Sequence, residues 1–452
     1  MNLRKTSIFS IVLLMGSLLF YLFFAFYDGA VICVDSPSYI GMESSREPLY
    51  PALLAFLRWI FKHAQEDFYL EVVVFLQSIL AAIAAFMMEE YLRKELNLSK
   101  VCAVFILVIP MAVSLLCRFA ARRGSMYSNS ILTEGITISL YFIFFRFLIE
   151  YAIHYTKKSL CMCGLLTLLM LLTRKQMLFA LAMLLLAIIY VAIKKRNWRY
   201  GMINLLLCCI LIPGINIAVD TVYNYAVRKE VATHSSDVRF VATIAFYVAE
   251  REDCERIENP ELKELFLEIY DICDGQGYLM HSAGQGWNNR VSHFGDYYDC
   301  IQIDTMWPAV NHYVEKNYEC RQTQVSYYAD QVMKEISMDV LPAHIGDVIT
   351  VFLDNFWAGA ITTVAKRNPI LNWYGLFVYL AFAALLILSF RKNISGKIRI
   401  MSILTLISIV FNVGLVSIVI FCQTRYTIYN MALFYICLIV MADAILRTRK
   451  RQ

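Results

Sequence analysis

Asp35, Tyr39, Glu43, Arg46 and Glu47 stand together in one stretch, CVDSPSYIGMESSREPLYPALLAFLRW, between two apolar runs. Ionisable residues recur at the edges of other apolar runs: Arg118, Arg122, Arg123 and Glu134, then Arg174 and Lys175, then Arg425. Such groups bordering hydrocarbon are expensive unless paired or hydrated, and their default use is a functional cavity. The structural alternative for any one of them is a solvated or snorkelling loop charge. As a set they offer a carboxylate that can take a proton and guanidiniums that grip phosphate through two directed hydrogen bonds. That combination suits a substrate bearing a sugar hydroxyl and a phosphate attached to lipid. A base is needed for the hydroxyl, and positive charge for the departing phosphate.

The elements that must position these groups are membrane helices. The chain has 452 residues, 59% hydrophobic and 17% charged, and its mean hydropathy is +0.57, beyond the balance of a soluble domain. Its apolar runs are solid rather than alternating, which excludes a β-barrel. The formal charge of +5, from 41 basic and 36 acidic residues, is too small to suggest a nucleic-acid partner. Arg4 and Lys5 ahead of SIFSIVLLMGSLLFYLFFAFY resemble a secretory signal, but the run is long for one and no small-x-small cleavage site follows. It reads as an uncleaved first span.

The candidate spans are 7–27, 70–91, 101–117, 130–150, 159–173, 176–193, 201–219, 371–390, 400–421 and 427–446. With a cytoplasmic N-terminus, the segments on that side hold Arg4, Lys5, Arg93, Lys94, Lys100, Lys157, Lys158, Lys194, Lys195, Arg196 and Arg199, then Arg391, Lys392, Lys397, Arg399, Arg447, Arg449, Lys450 and Arg451. This is the positive-inside bias. A single interrupted helix over 159–193 would put Lys157 and Lys158 opposite the 194–196 cluster, so two spans meeting at Arg174 and Lys175 are expected. The organisation is then 1–219, a membrane module with the first outer loop at 28–69; 220–370, a mostly helical extracytoplasmic insert; and 371–452, the closing spans.

In the insert, NPELKELFLEIYDICDG predicts a helix with Asn259 as N-cap, Pro260 in its first position, an apolar face of Leu262, Leu265, Phe266 and Ile269, and Gly275 as stop. Residues 307–340 are compatible with helix, 275–299 read as loop, and 344–364, interrupted by Asp347 and Asp354, as an interfacial or re-entrant helix. Cys254, Cys273, Cys300 and Cys320 admit two disulfides or four free thiols. Trp287, Trp307 and Trp357 offer sugar-stacking faces or interfacial anchors.

The opening stretch resembles the first outer loop of the GT-C superfamily of polytopic glycosyltransferases, which includes the family 39 protein mannosyltransferases and the aminoarabinose transferases of lipid A. The matching residues are Asp35, Ser36 and Tyr39, then Arg46, Pro48, Tyr50 and Pro51, then the amphipathic ALLAFLRWIFKH. ILTEGITISLYFIFF, with Glu134, is similar to the family's fourth span, LLTRKQMLFALAMLLL to its Arg corner, and QTRYTIYNMALFY to its late Arg-Tyr element. The large insert before the eighth span departs from the common placement of the extra domain at the C-terminus.

The resemblance implies an all-α, GT-C-type bundle of about ten transmembrane helices, with a juxtamembrane helix in the first outer loop. It implies an inverting transfer from a polyprenyl-phosphate sugar to a glycan, lipid or protein, at the outer face of a bacterial cytoplasmic membrane. Asp35 would be the general base. Arg174, Lys175 and Arg425 would bind the donor phosphate, with Arg46 either joining them or holding the loop. Tyr39 and Glu43 would support the acceptor side. Glu134 would pair with an arginine, position the acceptor, or hold a divalent metal with Asp35; the resemblance leaves metal use open. No Asp-x-Asp pair suggests a nucleotide-sugar donor, and no P-loop suggests ATP use. The rival functions are a lipid-linked glycan polymerase or ligase and a lipid-linked sugar flippase or transporter.

Overall fold

Ser7 opens α1 (Ile8–Asp28) by accepting a hydrogen bond from the Ser10 N–H at 3.2 Å. Gly29 closes it at φ +62°, a backbone region that other residues adopt only at a cost. The structure, a computed structural model, describes residues 7–120, 124–235 and 237–449, without the side chains of Ala120 and Arg449. Arg4, Lys5, Arg122, Arg123, Lys450 and Arg451 lie outside the described residues.

From α1 the chain runs through α2 (Ser36–Ile40), α3 (Leu49–Ile60), α4 (Phe68–Leu96), α5 (Lys100–Ala120), α6 (Glu134–His154), α7 (Lys157–Leu171), α8 (Leu178–Lys195) and α9 (Trp198–Arg228). There follow α10 (Val238–Val248), α11 (Pro260–Gly275), α12 (Trp287–Asp299), α13 (Trp307–Asn317), α14 (Val325–Val340), α15 (Ile345–Val364), α16 (Pro369–Arg391), α17 (Gly396–Val419) and α18 (Thr424–Arg449). Among the described residues there is no β-strand, only one bridge between Val31 and Ser130. Among the described residues ten helical stretches are long and apolar enough to cross a membrane, so the protein is an all-α, multi-pass integral membrane protein.

One member of that ten differs from the sequence expectation. α7, with 15 residues, spans only about 22 Å and falls short. The stretch Gln322–Val364 is included instead. Its last part, α15, is an unbroken helix of 20 residues. Asp354 does not interrupt it because Arg290 pairs with that carboxylate at 2.6 Å. Between α7 and α8 the chain breaks at Leu172–Met177, where Arg174 is extended, so 159–193 is two helices.

The chain divides into two compact units, the first made of Met1–Tyr223, Trp373–Phe411 and Ile428–Gln452, the second of Asn224–Asn372 and Asn412–Thr427. In the first, a buried polar seam joins α6, α17 and α18: the Asn430 Oδ1 accepts from Ser408 at 2.5 Å and from Tyr141 at 3.3 Å. In lipid such groups must find partners on neighbouring helices. One end of this unit is tied by charge. Glu95 pairs with His154 at 2.9 Å and Lys397 at 2.6 Å, and Asp443 accepts from Ser99 at 3.2 Å. These contacts gather the ends of α4, α6, α17 and α18 with the start of α5.

In the second unit α11 begins as its sequence predicts, with Asn259 Oδ1 accepting from the Glu261 N–H at 3.0 Å and Leu262, Leu265, Phe266 and Ile269 buried. The expected loop over 275–299 is corrected: Trp287–Asp299 is helix α12. Its Gly, Asn and Tyr content suggests loop, but Val291, Phe294 and Tyr298 fall on one helical face, and burying that face decides the outcome. Cys254, Cys273, Cys300 and Cys320 are free thiols, as are the other nine of the 13 cysteines. Trp307 packs against this unit's core, whereas Trp287 and Trp357 are exposed.

Candidate active site

The loop after α1 is fastened on both sides. The Ala30 N–H donates to Glu71 Oε1 at 3.1 Å, the Val31 N–H to the Asn129 carbonyl at 2.9 Å, and the Ile131 N–H to the Val31 carbonyl at 3.0 Å. Ser36 Oγ accepts from the Cys33 N–H at 2.7 Å and donates to the Ile131 carbonyl at 2.8 Å. Asp35 therefore stands at the mouth of α2 on a backbone that cannot wander. Its side chain makes no capping bond there. Instead Asp35 Oδ1 accepts from Arg46 Nη2 at 3.0 Å.

Arg46 bonds to three residues of its own loop. Besides Asp35, it donates from Nε to Ser38 Oγ at 2.7 Å and from Nη1 to the Tyr39 hydroxyl at 3.3 Å, and its guanidinium lies 4.5 Å from the Tyr39 ring centre. These contacts are those of a residue holding the loop. Tyr39 is buried, edge-on to Tyr50 at 5.4 Å. Burial pushes its phenol above the ordinary value despite the pull of Arg46. It therefore stays a neutral donor near pH 7 and is not the base.

Beyond Tyr39 the network continues to the start of α6. The Tyr39 hydroxyl lies 3.5 Å from Thr133 Oγ1, which donates to Glu134 Oε2 at 3.3 Å. Glu134 Oε1 pairs with Arg174 Nη1 at 2.5 Å, and the same nitrogen lies 3.5 Å from Thr133 Oγ1. An acidic residue in the first helical turn is favoured by the unsatisfied N–H groups there. The two carboxylates differ in access: the Asp35 side chain is 29% exposed, and that of Glu134 is 0% exposed. Glu134 also borders a cavity of about 50 Å³, lined by Tyr21, Ala84, Ser114 and Ser139, on α1, α4, α5 and α6.

The corner between α7 and α8 is docked on the same loop. Glu47 Oε1 accepts from the Lys175 N–H at 2.8 Å, and the Leu49 N–H donates to the Leu172 carbonyl at 2.9 Å. Glu47 thus sets where Arg174 and Lys175 stand relative to Asp35. Glu47→Ala removes the acceptor and is expected to destabilise the protein by about 1 kcal/mol, while Glu47→Gln, which can still accept, stays near wild type. Thermal unfolding of the two variants checks this.

A second support lies beneath. Gln77 is buried, accepts from the Tyr50 hydroxyl at 2.9 Å, and donates to the Ser128 and Ser130 carbonyls at 3.0 and 3.2 Å. The amide sits so close to Gly135 that a Cβ there would meet it at 2.5 Å. Gly135→Ala is expected to displace Gln77 and destabilise the protein by about 1–3 kcal/mol, read as a lower thermal unfolding midpoint.

The structure thus brings Asp35, Tyr39, Arg46, Glu134 and Arg174 into one network, and ties the Lys175 backbone to Glu47 of the same loop. Glu43 has an exposed side chain and serves through its backbone, donating to the Ser38 carbonyl at 2.9 Å. Arg425 belongs to the second unit, in the first turn of α18. Arg118 is engaged with Asp28 through bonds of 2.9 and 2.7 Å. Thr133 and Gln77 had no signal in the sequence beyond being polar beside apolar runs. For a divalent ion the fit is poor: Asp35 and Glu134 each face a guanidinium, and among the described residues no three His, Cys, Asp or Glu side chains are grouped to hold a metal.

No protein-family model matches the chain, and no curated protein matches it. Among solved structures the chain is similar to ArnT from Cupriavidus metallidurans, in a crystal structure bound to undecaprenyl phosphate, with a TM-score of 0.31 and 10% identity over 98% of this chain and 78% of that one.

Proposed function

We propose that this protein is a GT-C-type inverting glycosyltransferase, moving a sugar from a polyprenyl-phosphate donor to an extracytoplasmic glycan, lipid or protein acceptor. The observation that carries this reading is one partly open carboxylate, Asp35, joined through Arg46, Tyr39 and Thr133 to the Glu134–Arg174 pair. The proposed base and the guanidinium proposed to bind phosphate, far apart in sequence, stand in one network. With the N-terminus cytoplasmic, this network faces outward at headgroup level in a bacterial cytoplasmic membrane.

In this mechanism Asp35 takes the proton of the acceptor hydroxyl, being the more accessible carboxylate. The acceptor oxygen forms a bond to the sugar's anomeric carbon from the face opposite the phosphate. The anomeric carbon–oxygen bond breaks, and the electron pair leaves on the polyprenyl phosphate. Arg174 and the Lys175 ammonium receive that charge. Arg46 orients Asp35, and Glu134 orients Arg174.

The test supplies purified protein with radiolabelled polyprenyl-phosphate sugars and candidate acceptors. A new glycosidic bond with inverted configuration is the expected result. Movement of a lipid-linked glycan between leaflets with no such bond would replace this reading by a transporter. Joining of preassembled lipid-linked glycans would replace it by a polymerase or ligase.

A further inference from the structure

The second unit contains a small cavity, mostly apolar in lining but with three polar side chains on its wall, that the reaction above does not use. Tyr247, Arg290, Phe294, Val351, Asp354 and Asn355 line it. Arg290 donates to Asp354 from Nε at 2.6 Å and from Nη2 at 3.0 Å, which leaves Nη1 as a further donor of the same guanidinium. Asn355 is only 1% exposed, yet neither its amide nitrogen nor its carbonyl oxygen has a hydrogen-bond partner among the described residues. A buried amide left so bears the full desolvation penalty of both atoms. The remedy is an incoming group that both donates and accepts, and a hydroxyl does both.

The free space is about 10 Å³, room for one water-sized group. A hydroxyl on a larger ligand would fill it while the rest of the ligand stays outside. Trp287 stands three residues before Arg290 on α12, one turn away on the same face, and is 37% exposed. An exposed indole one helical turn from Arg290 matches a hydroxyl-rich ring, whose C–H face would pack on the aromatic while one hydroxyl reaches Asn355.

We propose that this pocket is a carbohydrate subsite that seats a hydroxyl of the acceptor glycan on Asn355 and Arg290, with the sugar ring against Trp287. As an acceptor site it rests on the glycosyltransferase reading. As a binding site it does not.

The test is saturation-transfer NMR on the full chain in nanodiscs, with the methyl glycosides of glucose, galactose, mannose and N-acetylglucosamine as probes. At least one glycoside is expected to bind. Asn355→Leu and Trp287→Ala are each expected to weaken that binding about tenfold. Trp287→Ala alters an exposed residue and keeps the test open if Asn355→Leu does not fold. The proposal is overturned if none of the four glycosides binds, or if Trp287→Ala binds as wild type does. Glycoside binding without any sugar transfer would sink the reaction and keep the pocket. Transfer with an unchanged acceptor KM in Trp287→Ala would keep the reaction and sink the pocket.

Discussion

Asp35→Asn is expected to slow sugar transfer by about 10²- to 10⁴-fold, the range spanned by removing a positioned general base. The substitution keeps the size of the side chain and an oxygen for Arg46 to bond, so the loop is retained. Since the Asp35–Arg46 pair is partly exposed, stability should change by no more than about 1 kcal/mol. Single-turnover transfer and thermal unfolding on the same preparation separate the two effects. A variant that transfers at the wild-type rate would falsify the assignment of Asp35 as base. A variant that is slow only because it has unfolded would show itself in the melting curve. The pH profile adds an internal check: Tyr39, raised by burial, should contribute no limb near neutrality, so Tyr39→Phe should leave the profile's shape unchanged.

Arg174→Ala carries the other large effect, and here stability and activity move together. Its partner Glu134 is wholly enclosed, and the pair is close at 2.5 Å. Deleting the guanidinium strands a buried carboxylate, which costs about 3–5 kcal/mol. It also removes the main candidate for receiving the phosphate charge, so transfer should fall steeply even where the protein remains folded. The double variant Arg174→Gln with Glu134→Gln takes away both charges and leaves two amides able to bond each other. It should recover most of the stability while remaining deficient in transfer. Equal stability of Arg174→Ala and wild type, or a double variant no more stable than the single one, would refute the buried-pair account. Recovery of transfer along with stability would remove Arg174 from the phosphate site.

Some of the site is readable from local pattern. Asp35, Tyr39 and Arg46 stand close in sequence, and ionisable residues flanking apolar runs flag themselves. Glu134 and Arg174 were visible as charges in costly places, and an arginine was one expected partner of Glu134, but which arginine was not legible, because the 39 residues between the two had to fold back before they met. Glu47 was visible as a loop charge but its role was not: that role is a bond to the backbone N–H of Lys175, and a backbone donor has no sequence signature. Arg46 was equally suited to phosphate or loop, and its bonds to Asp35, Ser38 and Tyr39 favour the loop.

The same division runs through the fold. Hydropathy marked an all-α membrane chain, the placement of basic residues the break between α7 and α8, and capping signals with periodicity α11 and its Asn259 cap. These depend on contacts within a few residues or on the length of an apolar run. Tertiary structure decided that α12 is helix although its composition suggests loop, and that α15 continues through Asp354. It also decided that two carboxylates of similar appearance differ, Asp35 partly open and Glu134 enclosed. Each of those outcomes depends on which distant side chain arrives to bury a face or neutralise a charge, and that is a property of the packed chain rather than of any stretch of it.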